Sequence, residues 1–387
     1  MKMLPKRLLF VLAIVATTLT PIGVSLKAAT LTPLTTGLLS PAKITLSTKG
    51  NLLVTEVGFA PNSGRVSLVD PATGVRRTLL DGLPSGLATP NNDPAGPSAL
   101  WMRGRTLYVA IGTGDEVVNG PAPGTAIPNP HPSSPLFSSV LAVHFSANVE
   151  NTTSGFRLSM ADQAALKAGS LVTCDNGAGD KLTIELVADF ADYVPDPRPN
   201  QLYNVRASNP FGIAAIGERL FVVDASMNNV RTVDLDTGLV GTLATFGPLP
   251  NTRGFGPPVV EAVPDSIRVF GDQLLVTLLS GYPFPIGAAQ VRLLDPETGV
   301  SAPLITGLTS AIDVLPLDGG FFTLEYTSDM LVAPPPAGRV LWFAAPGATP
   351  VLVNNTLNTP TNLVFEPKTG SIFITEIFTG RIMKLSP

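Results

Sequence analysis

A short motif recurs along this chain at intervals of about fifty residues. It consists of a proline followed three residues later by an aliphatic residue. Five clear copies and one degenerate copy, which has alanine in place of proline, occur at Pro41/Ile44, Pro97/Leu100, Pro210/Ile213, Pro264/Ile267, Pro360/Leu363 and Ala311/Val314. The interval between the second and third copies is about twice as long as the others. Such a period is typical of a repeat architecture, in which each repeat is one small unit of secondary structure.

Each copy of the motif is followed by further strand-like runs. After a turn that usually contains glycine comes an apolar run rich in β-branched and aromatic residues, such as LLVTE (52–56), LFVVD (220–224) and IFITE (372–376). A third run follows, and most copies have a fourth. Four short antiparallel strands per repeat predict an all-β fold, a six-bladed β-propeller. The alternatives are a seventh blade inside the long interval, which contains only one clear copy of the second and third runs, and a β-sandwich, which lacks such regular repeats.

The last copy needs a strand from elsewhere, because it ends at Pro387 just after its third run. The segment TPLTTGL (32–38) resembles APLITGL (302–308), which occupies the fourth-strand position of another copy. An unpaired outer strand would leave an exposed sheet edge. The sequence therefore predicts that residues 31–37 complete the last blade and close the ring by pairing with residues 380–385.

Residues 1–29 have the composition of a secretory signal peptide. Three basic residues precede an apolar run from Leu8 to Leu19, which is shorter than the ~20 residues that a membrane-spanning helix needs. We therefore expect export to the periplasm, the cell surface or the extracellular space, with an uncleaved anchor as the alternative. No later stretch is long and apolar enough for a stable membrane span, so residues 30–387 are expected to form the propeller.

Composition and motifs exclude several classes of function. Charged residues are only 14% of the chain and its formal net charge is −4, so it lacks the basic surface that binds nucleic-acid phosphates. Two histidines and one cysteine are too few for structural zinc, haem or iron–sulfur sites. Nucleophile-elbow, P-loop, zinc-protease and dinucleotide-binding motifs are missing as well. We therefore assign no catalytic residues and no metal ligands.

Long connections are predicted on one face of the propeller. Loops between second and third strands emerge on the same face as loops between blades, and they include the segments 84–96, 112–138, 191–209, 279–288 and 326–337. We call this the long-loop face and the other the short-turn face. Insertions are expected at 112–138 and 146–207, with a short helix after Ser159. Because elaborate loops on a rigid scaffold commonly carry binding sites, the long-loop face is the candidate functional face.

Seven residues on this face are candidate ligand contacts. Four of them are carboxylates that close the second strand of a blade, and the full set is Glu56, Asn209, Asp224, Tyr282, Phe284, Glu325 and Glu376. The carboxylates either ring the channel mouth and hold Ca²⁺, which prefers several oxygen ligands, or accept backbone N–H groups from the loops that follow them. The same choice applies to polar residues near the starts of first strands, namely Asn209, Asp265, Asp313 and Asn362. The loop that contains Tyr282 and Phe284 either presents an aromatic surface to a partner or packs on its neighbour.

Several segments resemble the ScyD/ScyE family. They are, in order, SNPFG (208–212), LFVVDASMNNVRTVD (220–234), VPDSI (263–267), LLSGYPFPIGAAQVRLLDPETG (278–299) and FFTLEY (321–326). This family comprises exported bacterial proteins related to NHL-type propellers and is named for members in scytonemin-pigment gene clusters. The resemblance implies an exported propeller without established catalytic residues. The chain departs from the family at Phe211, where the usual motif is Asn-Pro-Tyr-Gly, and in its longer 112–138 loop.

Together these features favour an exported binding or scaffold propeller that is not an enzyme and has no cofactor. Its expected partner is a small molecule or a protein on the long-loop face, and not a nucleic acid. One alternative is a propeller enzyme resembling the SMP-30/gluconolactonase or sugar-dehydrogenase type, with Ca²⁺ at the channel mouth. The other is an adhesin-like surface protein that captures partners through loops 112–138 and 279–288.

Overall fold

Strands make up nearly all the regular structure of residues 29–387, the part of the chain that the computed structural model describes. The predicted signal peptide, residues 1–29, lies outside this part except for Ala29. β1 (Thr30–Thr35) precedes the first blade, which comprises β2 (Pro41–Leu46), β3 (Leu52–Glu56), β4 (Gly64–Val69) and β5 (Arg76–Leu83). A ribbon formed by β6 (Gly86–Ala88) and β7 (Asp93–Ala95) leads to the second blade.

The second blade carries the insertions. Its strands are β8 (Pro97–Arg103), β9 (Thr106–Ile111), β12 (Ser139–Phe145) and β15 (Lys181–Asp189), with β14 (Val172–Asp175) added at the outer edge. The ribbon of β10 (Val117–Asn119) and β11 (Ala126–Pro128) lies between β9 and β12. Between β12 and β14 lie β13 (Phe156–Arg157), which pairs with β5 of blade 1, and helix α1 (Met160–Lys167). The ribbon of β16 (Val194–Pro195) and β17 (Val205–Arg206) leads to blade 3.

The remaining four blades are more regular. Blade 3 comprises β18 (Pro210–Ile216), β19 (Arg219–Asp224), β20 (Asn229–Asp234) and β21 (Val240–Thr245), followed by the ribbon of β22 (Leu249–Pro250) and β23 (Val259–Val260). Blade 4 comprises β24 (Pro264–Phe270), β25 (Gln273–Leu278), β26 (Ala289–Leu294) and β27 (Ser301–Leu308). Blade 5 comprises β28 (Ala311–Leu317), β29 (Gly320–Glu325), β30 (Gly338–Phe343) and β31 (Val351–Leu357). Blade 6 comprises β32 (Pro360–Glu366), β33 (Ser371–Glu376), β34 (Arg381–Ser386) and β1.

The six blades form a closed ring. The first strand of each blade is its inner strand, and each inner strand contacts the inner strands of the two neighbouring blades, with β32 meeting β2 to complete the circle. This confirms the predicted six-bladed β-propeller and the absence of a seventh blade among residues 29–387. All six inner strands begin at one of the repeated motifs that the sequence analysis identified.

Alternating side chains of each blade pack against both neighbouring blades, which explains the continuous apolar runs of the second strands. In β25, Leu274 and Val276 pack in the core between blades 3 and 4, whereas Leu275 packs between blades 4 and 5. Because successive side chains of a strand point to opposite sides of the sheet, a sheet covered on both sides must be apolar at every position. Six buried apolar clusters of this kind occupy the six interfaces between blades.

β1 completes blade 6, as the sequence predicts. It pairs antiparallel with β34, with Leu31 opposite Leu385 and Thr32 opposite Lys384. The strand extends over 30–35 instead of the expected 31–37, and a register irregularity lies between Pro33 and Thr35. The segment 302–308, whose sequence suggested this pairing, forms most of β27, the fourth strand of blade 4.

The predicted helix in the second insertion is confirmed. Helix α1 begins after Ser159, whose side chain accepts a hydrogen bond from the backbone N–H of Asp162, and the Asp162 carboxylate in return accepts from the Ser159 N–H. This reciprocal pair satisfies two donors that a helix N-terminus otherwise leaves unpaired. Over residues 29–387 no helix has the length and apolar character that crossing a membrane requires.

Candidate functional site

Each of the six inner strands has a backbone irregularity near its first residue. In every blade the pairing of the inner strand with the second strand shifts register directly after the first residue. Such β-bulges re-aim side chains and are frequent beside binding sites. The second residues of the six strands all line one cavity, and we call them the bulge ring: Ala42, Ser98, Phe211, Asp265, Ile312 and Thr361.

The bulge ring forms the floor of a cavity of about 570 Å³ on the long-loop face. Its walls come from the loops that follow the second strands and from the β6–β7 ribbon between blades 1 and 2. Most wall residues are apolar, and they include Val57, Ala88, Leu279, Phe284, Tyr326, Met330, Ile377 and Phe378. The loops of this face also carry large exposed apolar side chains, namely Phe59, Leu87, Phe255, Tyr282 and Phe378.

A buried ion pair lies in the cavity floor. The Lys43 Nζ donates to Asp265 Oδ1 at 2.7 Å and lies 4.7 Å from the centroid of the Phe211 ring. Burial raises the pKa of Asp265 to about 6, although the neighbouring Lys43 ammonium lowers it. Asp265 lines the cavity, while Lys43 lines a second cavity of about 340 Å³ towards the short-turn face, so the pair marks the boundary between the two.

A second buried carboxylate organises the channel on the short-turn side of this boundary. Asp313 accepts hydrogen bonds from the Arg268 Nε at 3.0 Å, from the Asn362 Nδ2 at 2.5 Å, and from the backbone N–H groups of Val314 and Leu363, both at 2.8 Å. These donors come from blades 4, 5 and 6. The two buried carboxylates and the two cations thus balance in charge: Lys43 and Asp265 join the opposite blades 1 and 4 across the channel, and Asp313 joins the neighbouring blades 4, 5 and 6.

Three of the four sequence-predicted carboxylates share one pattern of contacts away from the cavity. Each is fully buried and accepts one backbone N–H from the segment two residues before its own inner strand and one guanidinium from the third strand. At 2.5–2.8 Å, the donors are Leu39 and Arg65 for Glu56, Thr309 and Arg339 for Glu325, and Asn358 and Arg381 for Glu376. Each of these three carboxylates therefore fixes the backbone just before the inner strand of its own blade. The sequence alternative expects the backbone N–H donors to come from the loops that follow the carboxylates.

Asp224 is the fourth of these carboxylates and has fewer partners. Its Oδ1 accepts from the backbone N–H of Asn209 at 2.9 Å and from that of Met227, in the following loop, at 3.2 Å. The Arg231 Nε lies 3.7 Å from its Oδ2, beyond hydrogen-bond distance. None of the four lines the cavity, and within residues 29–387 no three His, Cys, Asp or Glu side chains are grouped so that they could hold a metal ion.

The other three candidates lie at or near the cavity. Asn209 and Phe284 line it, and Thr113 donates its backbone N–H to the Asn209 Oδ1 at 3.2 Å. Phe284 is held by its backbone carbonyl, which accepts from the Arg253 guanidinium at 3.0 Å. Tyr282 is 65% exposed and contacts the Phe284 ring edge-on, with the ring centroids 6.0 Å apart. The structure therefore brings Asn209 and Phe284 together in one site and leaves Tyr282 on its rim.

The chain is similar to several solved structures. The chain is similar to an auxiliary nutrient binding protein from Bacteroides thetaiotaomicron, with a TM-score of 0.50 and 10% sequence identity over 90% of this chain and 69% of that one. The fold is a β-propeller. A glucose dehydrogenase-type oxidoreductase from Thermus thermophilus matches with a TM-score of 0.49 and 13% identity, over 92% of this chain and 100% of that one. Streptogramin B lyase matches with a TM-score of 0.46 and 14% identity, over 92% and 97%.

Sequence comparison assigns this chain to no family. No protein-family model matches the chain, and no curated protein has significant similarity to it. At 10% identity the likeness to the nutrient binding protein concerns the fold and not the ligand. The resemblance to the ScyD/ScyE family stays a prediction.

Sequence reasoning missed most of the cavity. Apart from Asn209, Phe284 and Asp265, its lining residues are not among the sequence candidates, and Phe211 stands out in the sequence only as a departure from a family motif. The six bulge-ring positions share a place in the repeat but no residue type, so no motif marks them. The one available signal was their constant position, directly after the first residue of each repeat.

The propeller also contains a buried acid in the 112–138 loop. Glu116 is 6% exposed, and its Oε2 is in hydrogen-bond contact with the Ser138 Oγ, which also donates to the Ser208 carbonyl at 2.7 Å. The single hydroxyl proton of Ser138 cannot serve both oxygens, and a carbonyl cannot donate. A protonated Glu116 that donates to the Ser138 Oγ satisfies both contacts, and burial raises the pKa of Glu116 to about 9.

Replacing this acid by its neutral isostere should change how stability depends on pH. Because the pKa of Glu116 is higher in the folded chain than in the unfolded chain, its contribution to folding is full below about pH 4.5 and is lost as the pH rises towards 9. We expect Glu116→Gln to match the wild type near pH 4.5 and to be more stable by about 3 kcal/mol at pH 7. Urea unfolding at several pH values measures this difference. Parallel pH profiles for Glu116→Gln and the wild type would contradict the assignment.

Proposed function

We propose that this protein is a non-enzymatic binding propeller of the ScyD/ScyE type, exported from the cytoplasm, that holds a small, mostly apolar molecule in the cavity on the long-loop face. The observation that carries the proposal is the cavity itself, at the mouth of the channel and floored by the bulge ring. Its volume of about 570 Å³ lies within the range of small-molecule sites, which are concave, mostly apolar and provided with a few polar groups. Export rests on the composition of residues 1–29.

The contacts of the acidic side chains favour a binding role over a catalytic role. Glu56, Glu325 and Glu376 are each engaged by a guanidinium and a backbone N–H within their own blade, which leaves them no access to a ligand in the cavity. The buried carboxylates of the channel are likewise paired with cations. No contact among the described residues favours the alternative of a Ca²⁺-dependent propeller enzyme.

Filling the cavity should abolish binding of an apolar probe. N-phenyl-1-naphthylamine is uncharged and fluoresces in apolar surroundings, so we expect it to bind the wild-type protein at one site. Ala88 is half-buried in the cavity wall, and the Ala88→Trp side chain would occupy much of the space. We expect Ala88→Trp to weaken probe binding at least about tenfold, equivalent to ~1.4 kcal/mol.

A matched control keeps this experiment specific. Ala178→Trp adds the same side chain at an exposed position between β14 and β15, away from the cavity, and should leave probe binding unchanged. If the probe binds Ala88→Trp as tightly as the wild type, or does not bind the wild type, the cavity is not the binding site and the proposal is wrong.

A further inference from the structure

The bulge ring offers a ligand one ionisable group, Asp265. The other two polar members of the ring use their hydroxyls within the protein: Ser98 donates to the Pro210 carbonyl, and Thr361 is in hydrogen-bond contact with the Thr375 hydroxyl at 2.9 Å. Ala42, Phe211 and Ile312 have no polar side-chain atoms. Discrimination between ligands at the cavity floor therefore depends on what the Asp265 carboxylate can accept.

One oxygen of this carboxylate is free. The Oδ1 atom accepts from the Lys43 Nζ at 2.7 Å, whereas Oδ2 receives no hydrogen bond from any residue between 29 and 387. Asp265 is only 4% exposed, and its side chain lines the cavity. Oδ2 faces the cavity, so a ligand that excludes water from the floor must donate a hydrogen bond to Oδ2 or leave a charged acceptor without a partner, which is costly.

Charge balance decides which kind of donor fits. The Lys43 ammonium already neutralises Asp265, and both side chains are buried. A cationic ligand would add an unpaired charge at the cavity floor, which is strongly unfavourable, because the other carboxylate that lines the cavity, Asp93, lies exposed on the β6–β7 ribbon. A hydroxyl or an uncharged N–H donates without adding charge. The cavity also offers a donor, because the Asn209 Oδ1 accepts from the Thr113 N–H and its Nδ2 donates to no residue between 29 and 387.

We infer that the ligand of the cavity is an uncharged, mostly apolar molecule with a hydroxyl or N–H group that donates to the Asp265 Oδ2. This inference rests on the proposed function, because it names the class of molecule that the same cavity selects. The other bulge-ring residues shape the floor, and Asp265 orients the ligand's donor towards the channel axis.

Displacement of N-phenyl-1-naphthylamine by three compounds with the same number of non-hydrogen atoms tests the inference at pH 7.5. These compounds are 1-octanol, an uncharged donor; 1-methoxyheptane, which cannot donate; and octylammonium, a charged donor. We expect 1-octanol to displace the probe about tenfold more tightly than 1-methoxyheptane, because a hydrogen bond to a charged group contributes at least this much, and at least as tightly as octylammonium. Equal displacement by the alcohol and the ether, or tenfold tighter displacement by octylammonium, would overturn the inference.

Two variants connect the preference to Asp265. In Lys43→Met/Asp265→Leu both charges are replaced by apolar side chains of similar volume, and we expect the probe to bind while the preference for the alcohol falls below twofold. Ser98→Ala, which changes another ring member whose hydroxyl already serves the backbone, should keep the preference. Retention of the preference in the double variant would contradict the role of Asp265, and if that variant does not fold, the ligand series with the wild type decides.

The two proposals fail in different ways. If the wild type does not bind the probe, or if Ala88→Trp binds it normally, the cavity is not a binding site. If the probe binds and is displaced without regard to hydrogen-bond donors, the cavity binds apolar molecules and only the inference about Asp265 is wrong.

Discussion

Removal of β1 is expected to destabilise the whole propeller and not only its last blade. A chain that lacks Thr30–Thr35 loses the backbone pairing with β34 and the packing of the half-buried Leu31 and Leu34. Several backbone hydrogen bonds at ~1 kcal/mol each, together with this apolar contact, amount to a loss of about 5 kcal/mol, a large part of the stability of an ordinary domain. We expect the Tm to fall by more than about 10 °C and the exposed edge of β34 to promote aggregation.

Rescue in trans distinguishes this closure from a general effect of truncation. A peptide of residues 29–38 should restore most of the lost Tm when added to the truncated chain, because it can pair with β34. The same peptide with Leu31→Lys and Leu34→Lys should not, since its half-buried positions would then be charged. A truncated chain with the Tm of the wild type would show that the ring does not depend on β1.

The second large effect is expected from Asp313→Ala. This fully buried carboxylate accepts from the Arg268 guanidinium, the Asn362 amide and two backbone N–H groups. Its removal leaves a cation and several donors without their acceptor in the channel. Breaking a buried ion pair on one side commonly costs about 3–5 kcal/mol, and we expect urea unfolding to show a loss of that size.

Asp272→Ala is the matched control, because Asp272 lies exposed in the turn between β24 and β25 of the same blade as Arg268. We expect it to change the free energy of unfolding by less than about 0.5 kcal/mol. A loss below ~1 kcal/mol for Asp313→Ala would mean that water replaces the carboxylate and that the channel network contributes little to stability.

Much of the fold could be predicted because every blade meets the same physical requirement. A sheet packed between two others must be apolar on both sides, so the second strands appear in the sequence as short apolar runs at a regular period. The closing strand could be predicted because residues 32–38 resemble residues 302–308, and both segments form fourth strands. The helix could be predicted from the N-cap Ser159, a signal confined to a few neighbouring residues.

The site could be predicted only in part, because its contacts join residues far apart in the chain. Lys43 and Asp265 are separated by 222 positions, and nothing in the sequence near either residue indicates the other. The repeated carboxylates were conspicuous because a structural role recurs in several blades, whereas a binding site is used once and has no repeat. Bulge-ring residues differ in type for the same reason, and only the backbone shows that they meet.

The pairing of β1 with β34 places both ends of the described chain on the short-turn face. Thr30 lies opposite Ser386, at the end of β34 that points away from the cavity. A linker attached at either end therefore leaves the propeller on the side remote from its opening. A protein tethered through such a linker to a bead, a sensor chip or a cell envelope would keep its entrance facing the surrounding solution.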